Sequence, residues 1–203
     1  MCAQQGGFNM TNLAYSYENE RRTEMLDGVI YMMATPIINH YRVKAKILEI
    51  FRNYLKGKSC DVFDDSVSVF LTETDRVVPD VTVVCKKDIV REKGVVGVPD
   101  LIIEILSPST SKHDRGYKMS LYERCGVKEY WIVDTNGLSI EVYWLADGKY
   151  TLHNIFTILP DYVKEDMSAE RLAEFPTQFK TSLFDDLIID LEEVFEDVRE
   201  RPE

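Results

Sequence analysis

Two spacings of hydrophobic residues divide the chain. Val62, Val67, Val69 and Leu71 alternate with polar neighbours, residues 77–84 are valines interrupted by Pro79, Asp80 and Thr82, and residues 101–106 are apolar at every position but Glu104. Period two is the mark of a strand, and an unbroken apolar run marks a strand covered on both faces. From 38 to 56 the spacing changes, and Val43, Ile47, Ile50, Phe51 and Tyr54 recur three and four apart, which predicts a helix with Asn39 as its cap and Gly57 beyond its end. A second helix is expected over 111–124, with cap candidates in Ser107, Pro108, Ser109 and Thr110 and a stop at Gly126. Asp114, Lys118 and Tyr122 lie four apart on it and share one face. Asp27-Gly28, Asp134-Thr-Asn-Gly137 and Asp147-Gly148 read as turns, giving an opening hairpin over 24–33 and a meander of strands over 128–133, 139–145 and 150–155. Residues 86–97 read as a charged loop, 187–191 as a short strand and 192–199 as a short acidic helix.

This mixture of helix-spaced and strand-spaced segments predicts an α/β (α+β) fold. At 203 residues with 45% hydrophobic content, one core can be buried, so residues 14–203 are expected to form one domain behind a loose leader at 1–13. A net charge of −11 argues against a general nucleic-acid coat protein, because phosphate binding rests on clustered Lys and Arg. The acids crowd the C-terminal part, however. Arg42, Lys44, Lys46, Arg52, Lys56 and Lys58 face only Glu49 within their own segment, so a local basic surface is expected there, with Arg42, Lys44 and Lys46 as nucleic-acid-contacting candidates. Cys2, Cys60, Cys85 and Cys125 form no Cys-x-x-Cys pair, so neither a zinc site nor a disulfide framework is expected, and reduced thiols are the plain reading. No basic-then-apolar leader and no run of membrane-spanning length is present, which makes the cytoplasm the expected location and a membrane partner unexpected.

The chemistry concentrates between 77 and 134. Asp80 and Glu104 are carboxylates inside apolar strands, where an ion costs several kcal/mol, roughly, unless a cation, a donor or a shifted pKa relieves it. If the two strands are neighbours, the acids converge and a hard divalent cation, Mg²⁺ or Mn²⁺, would relieve them, with the carbonyl of Ile105 as a third ligand. Lys118 supplies a positive charge that can orient a water or stabilise developing charge. These are the parts of phosphodiester hydrolysis. The residues equally allow Asp80 to cap a bulge and Lys118 to neutralise Glu104 in a structural pair. Glu24, His40 and Asp114 are accessory candidates: Glu24 as a further ligand or a turn residue, His40 as a packing or capping histidine, Asp114 as a cap or an orienter of Lys118. Tyr122, Tyr130 and Trp131 read as core aromatics before base-stacking platforms.

Glu24-Met-Leu-Asp27-Gly28, Pro79-Asp80-Val, the run from Pro99-Asp100 through Glu104 to Thr110, then Asp114, Lys118, Tyr122 and Gly126-Val-Lys-Glu129-Tyr130-Trp131-Ile-Val-Asp134 resemble the Uma2 family of restriction endonuclease-like proteins. The likeness covers about residues 20–195. It implies a PD-(D/E)xK nuclease core, a mixed central sheet flanked by helices, and Mg²⁺-dependent cleavage of DNA with Asp80 and Glu104 as the motif acids. Leu106 stands where that superfamily has its lysine, and the resemblance implies that Lys118 on the following helix replaces it. A homodimer with two sites is the expected partner state for cutting both strands of DNA. The competing reading is a catalytically degenerate nuclease fold that serves as a nucleic-acid-binding or protein-interaction module.

Overall fold

The structure is a computed structural model that describes residues 23–107 and 111–198. The expected leader and the cap candidates Pro108, Ser109 and Thr110 lie outside the described residues. In chain order the elements are β1 (Thr23–Leu26), β2 (Val29–Met32), α1 (Ile38–Leu55), β3 (Asp61–Asp64), β4 (Val69–Phe70), β5 (Arg76–Val77), β6 (Val81–Val84), β7 (Val90–Arg91), β8 (Gly94–Val96) and β9 (Leu101–Ile105). Then come α2 (Ser111–His113), a π-helical turn (Asp114–Lys118), α3 (Met119–Cys125), β10 (Glu129–Asp134), β11 (Ser139–Ala146) and β12 (Lys149–Thr157). The chain closes with α4 (Asp161–Lys164), α5 (Ala169–Leu172), β13 (Gln178–Lys180), β14 (Ile188–Asp190) and α6 (Leu191–Val194).

The central sheet has the order β12-β11-β10-β9-β6-β3. Its β9 and β10 are parallel while its other pairs are antiparallel, so it is mixed. Strand alternation sorts its side chains. Leu101, Ile103 and Ile105 of β9 and Trp131 and Val133 of β10 pack with Val43, Ile47 and Phe51 of α1. Ile102 of β9 and Tyr130 and Ile132 of β10 face the other way, onto Leu121 and Tyr122 of α3. Glu104 shares the parity of Ile102 and is therefore committed to the α3 face before any contact is considered. A second sheet, β2-β1-β5-β4-β8-β7, packs Leu26, Val69, Val77 and Val95 into the same cluster as Leu121 and Tyr122.

Several expectations change here. The run 77–84 is two strands, not one: Val77 pairs into the second sheet and Val81 into the central sheet. Pro79, which has no N–H to give a ladder, falls in the break between them. Residues 86–97 contain the hairpin β7–β8 rather than a plain loop. Gly94 has φ 138° and a Cβ there would lie 2.3 Å from the Ser68 carbonyl oxygen, so the β4–β8 approach requires glycine. Asn39 lies inside α1, whose N-cap is Ile37 without a side-chain cap. Cys60 and Cys85 form a disulfide, against the expectation of reduced thiols. They are neighbours because β3 and β6 pair Asp61 with Val84, so the next pair outward is the two cysteines.

Other expectations hold. The Asp27-Gly28 hairpin forms, with both residues at positive φ, and Asp147-Gly148 repeats it. Gly126 ends α3 at φ 90°, its N–H donating to the carbonyls of Tyr122 and Glu123.

Candidate active site

Asp80 immediately precedes β6, and the antiparallel register pairs Val81 with Ile103. Carrying that register one residue further places Asp80 opposite Glu104. The Asp80 side chain is anchored there by the Ile105 backbone N–H, which donates to Oδ2 at 2.8 Å. The break at Pro79 thus has a consequence for chemistry: it ends the ladder where a carboxylate must turn into a pocket.

Lys118 closes the group from the helix side. Its Nζ lies 3.0 Å from Glu104 Oε1, 2.9 Å from Glu24 Oε1 and 3.5 Å from Asp114 Oδ1. Tyr122 donates its hydroxyl to Glu104 Oε1 at 2.7 Å. Asp114, Lys118 and Tyr122 therefore share a face, as their spacing predicts, although the backbone between Asp114 and Lys118 is π-helical. A single π turn inside an α-helix is uncommon and is found preferentially at functional sites. Glu24 also accepts from the Val78 N–H at 2.8 Å, so β1 joins the same cluster. Leu106, at the superfamily's lysine position, packs into the apolar cluster on the α3 face. The ammonium beside the acids is that of Lys118, on the helix side.

Glu104, Asp114 and Lys118 are all less than a twentieth exposed, and Asp80 is 8% exposed. Burial pushes the Glu104 carboxyl well above its ordinary value; the attraction of Lys118 opposes this, and Asp114, Asp80 and Glu24 reinforce it. Burial pulls the Lys118 ammonium down, but Glu104, Glu24 and Asp114 outweigh it and hold the group protonated. The Tyr122 hydroxyl is raised by burial and by the neighbouring Glu104, so it stays a donor.

The cluster forms the floor of a cavity of about 160 Å³ whose walls include Tyr31, Met32, Met33, His40, Ser107 and His113. His40, expected to be peripheral, points its Nε2 at Asp80 Oδ2 from 3.2 Å and is buried. Its position in the first turn of α1 carried no local signal, because only the packing of α1 against the sheet end brings it to Asp80. Tyr31 and His113 at the cavity wall were not singled out by the sequence either, for the same reason.

The basic surface expected on α1 is largely consumed by acids. Lys44 is buried against Asp65 at 2.7 Å, Lys46 pairs with Glu196 at 2.8 Å, and Arg52 and Lys58 approach Asp64 and Asp186 at 3.7 and 3.6 Å. Lys44 is thereby corrected from a surface contact to a buried structural pair. Arg42 is half-buried on the same helix and has no ion pair among the described residues.

Asp80 and Glu104 offer hard oxygen donors at one point of the cavity. Among the described residues no group of three or more His, Cys, Asp or Glu side chains is spaced to hold an ion. That is compatible with Mg²⁺, which is usually bound through one or two carboxylates and several waters rather than by an all-protein cage.

The mixed sheet with helices on both faces agrees with the restriction endonuclease-like fold. A solved structure titled a "putative nuclease belonging to DUF820" from Anabaena variabilis superposes with a TM-score of 0.66 over 87% of this chain and 91% of that one, at 19% identity. The Uma2 family, described as "Putative restriction endonuclease", matches residues 11–172, and the chain belongs to that family. An uncharacterized protein of Synechocystis sp. is 29% identical over 137 residues, which are 66% of this chain and 72% of that protein.

Proposed function

We propose that the protein is an endonuclease that hydrolyses DNA phosphodiester bonds with Mg²⁺ or Mn²⁺ held by Asp80, Glu104 and the backbone carbonyl of Ile105. The observation that carries this reading is the imbalance of charge at the cavity floor. Among the described residues, Glu24, Glu104 and Asp114 gather about the ammonium of Lys118, and Asp80 adds a fourth carboxyl beside Glu104. A purely structural ion pair matches its charges, since an unmatched buried ion costs several kcal/mol, roughly. An excess of acids beside an opening is what a site for a cation requires. Family membership and the shared fold support the same reading.

When bound, the cation would lower the pKa of a water and offset charge on the phosphate under attack. The chain's own residues then divide the remaining work. The Ile105 N–H and His40 both meet Oδ2 of Asp80 and so orient its carboxylate. Tyr122 holds Glu104 from behind. Lys118, kept protonated, presents a permanent positive charge to the phosphate oxygens.

Incubation with single- and double-stranded DNA in Mg²⁺, Mn²⁺ or chelator tests the reading, with Glu104→Ala as the control variant. Metal-dependent cleavage that Glu104→Ala abolishes is expected. No cleavage of any DNA form, or cleavage unchanged in the variant, overturns it. A second reading, a binding module without catalysis, draws on Leu106 at the motif lysine position. It predicts nucleic-acid or protein binding that is indifferent to divalent metal.

A further inference from the structure

Three features of the cleft bear on what kind of strand enters it. The first is depth: the acids and the ammonium on its floor are each less than a tenth exposed, within a cavity of about 160 Å³. A duplex is stiff, with a persistence length of about 50 nm, and does not bend locally into such a recess without cost. A single strand can thread or splay a nucleotide into it.

The second is charge. Affinity for duplex DNA grows with the number of phosphates neutralised by Lys and Arg. The chain carries −11 overall, and Lys44, Lys46, Arg52 and Lys58 of the one basic stretch are already paired with acids. Among the described residues the cavity walls contribute one Lys or Arg side chain, Lys118, which Glu24, Glu104 and Asp114 surround. Among the described residues, the cavity lining offers a duplex backbone no Lys or Arg that is free of an acid.

The third is the rim. β2 is an edge strand, and all four of its residues are exposed and apolar or aromatic: Val29, Ile30, Tyr31 and Met32. Tyr31 and Met32 line the cavity, and Tyr31 is 39% exposed while one part of its ring meets His113 in a tilted contact with centroids 5.3 Å apart. The two rings are tilted by 59°, so they do not close on each other as a stacked pair. An exposed aromatic ring beside a recessed hydrolytic site is the arrangement by which single-stranded nucleic acid is held, since each base offers a π-face to an aromatic side chain whatever its sequence.

We propose that the cleft takes single-stranded DNA, with a base stacked on Tyr31 and the adjoining phosphate directed to the floor, in preference to intact duplex. The proposal rests on the nuclease reading for its chemistry, but its binding arm stands apart from cleavage. The test uses the full chain and a short fluorescein-labelled single-stranded DNA oligonucleotide, alone or annealed to its complement, with anisotropy read in Ca²⁺ and cleavage read in Mg²⁺ or Mn²⁺. The single strand is expected to bind and to be cut in preference to the duplex. Tyr31→Ala should weaken single-strand binding roughly tenfold, in the range found for base–aromatic stacking, while Tyr31→Phe, which keeps the ring, stays near the wild type. Because Tyr31 is exposed, circular dichroism should show both variants folded. Equal or tighter binding of the duplex, no binding of the single strand, or an indifferent Tyr31→Ala overturns the proposal. Cleavage absent with single-strand binding and the Tyr31 effect intact would overturn the nuclease reading and leave this one supported.

Discussion

Glu104 and Glu129 occupy neighbouring central strands of one sheet, are both buried, and both have carboxyls raised by burial. They differ in which face they take and in what meets them there. Glu129 has the parity of Trp131, on the α1 face, where neutral donors fill both of its oxygens: Trp131 Nε1 at 2.6 Å on one, the Ser182 N–H at 2.7 Å and Ser182 Oγ at 2.5 Å on the other. Glu104, on the α3 face, meets an ammonium, a tyrosine and three further acids at the floor of an opening. Burial and a raised carboxyl therefore do not by themselves mark a working site. What separates the two is saturation. Glu129 pins the segment at Ser182 to the sheet with bonds from uncharged donors, whereas Glu104 belongs to a cluster in which, among the described residues, acids outnumber Lys and Arg.

The largest contrast should appear in cleavage. Glu104→Ala is expected to lower the cleavage rate on the order of a thousandfold or more, comparable to removing a principal electrostatic group from an active site. Glu129→Ala should leave the rate per folded molecule near that of wild type. Similar losses in both would erase the distinction.

Stability should show the opposite order. Lys118→Met removes the ammonium that Glu24, Glu104 and Asp114 share and should cost about 3–5 kcal/mol in urea unfolding, as when one partner of a buried pair is lost. Glu129→Ala leaves the Trp131 and Ser182 donors buried without acceptors and should cost about 3 kcal/mol. Glu104→Gln should stay within about 1 kcal/mol of wild type, because a neutral side chain of the same shape relieves the crowding of acids. A large loss in Glu104→Gln would show that the cluster is a structural device.

The smallest expected effect is on pH dependence. Because the Glu129 carboxyl is raised above its ordinary value of 4.5, the native state holds this proton more tightly than the unfolded chain does. Its contribution is then fully present below pH 4.5 and is lost as pH rises through the native value. Glu129→Gln should flatten that part of the stability profile relative to wild type. An unchanged slope would mean that Ser182 and Trp131 hold the carboxylate ionised.

The sequence made Glu104 conspicuous, because an acid in the middle of Leu101-Ile-Ile-Glu-Ile has nowhere neutral to go. It also placed Lys118 and Tyr122 on one face, since helical spacing is local information. The Asp-Gly turns and Gly126 were readable for the same reason: each needs a backbone conformation that few residues accept. What the sequence left hidden is pairing at a distance. Periodicity reports which face of a segment is buried but not what covers it, so Lys44 looked like surface until Asp65 met it. Cys60 and Cys85 looked unrelated until β3 and β6 set their register. Residues 77–84 looked like one strand because valines continue on both sides of Pro79, and only the second sheet reveals that the chain changes partners there. His40 and Tyr31 reach the cavity through tertiary packing alone.

The central claim, that Asp80 and Glu104 form a site for a divalent cation, is tested most directly by calorimetric titration of Mn²⁺ into the purified protein. One site is predicted in the wild type and in Glu129→Gln, and it is lost in Asp80→Asn and Glu104→Gln. No Mn²⁺ uptake by the wild type, or uptake unchanged in Asp80→Asn, would contradict the account.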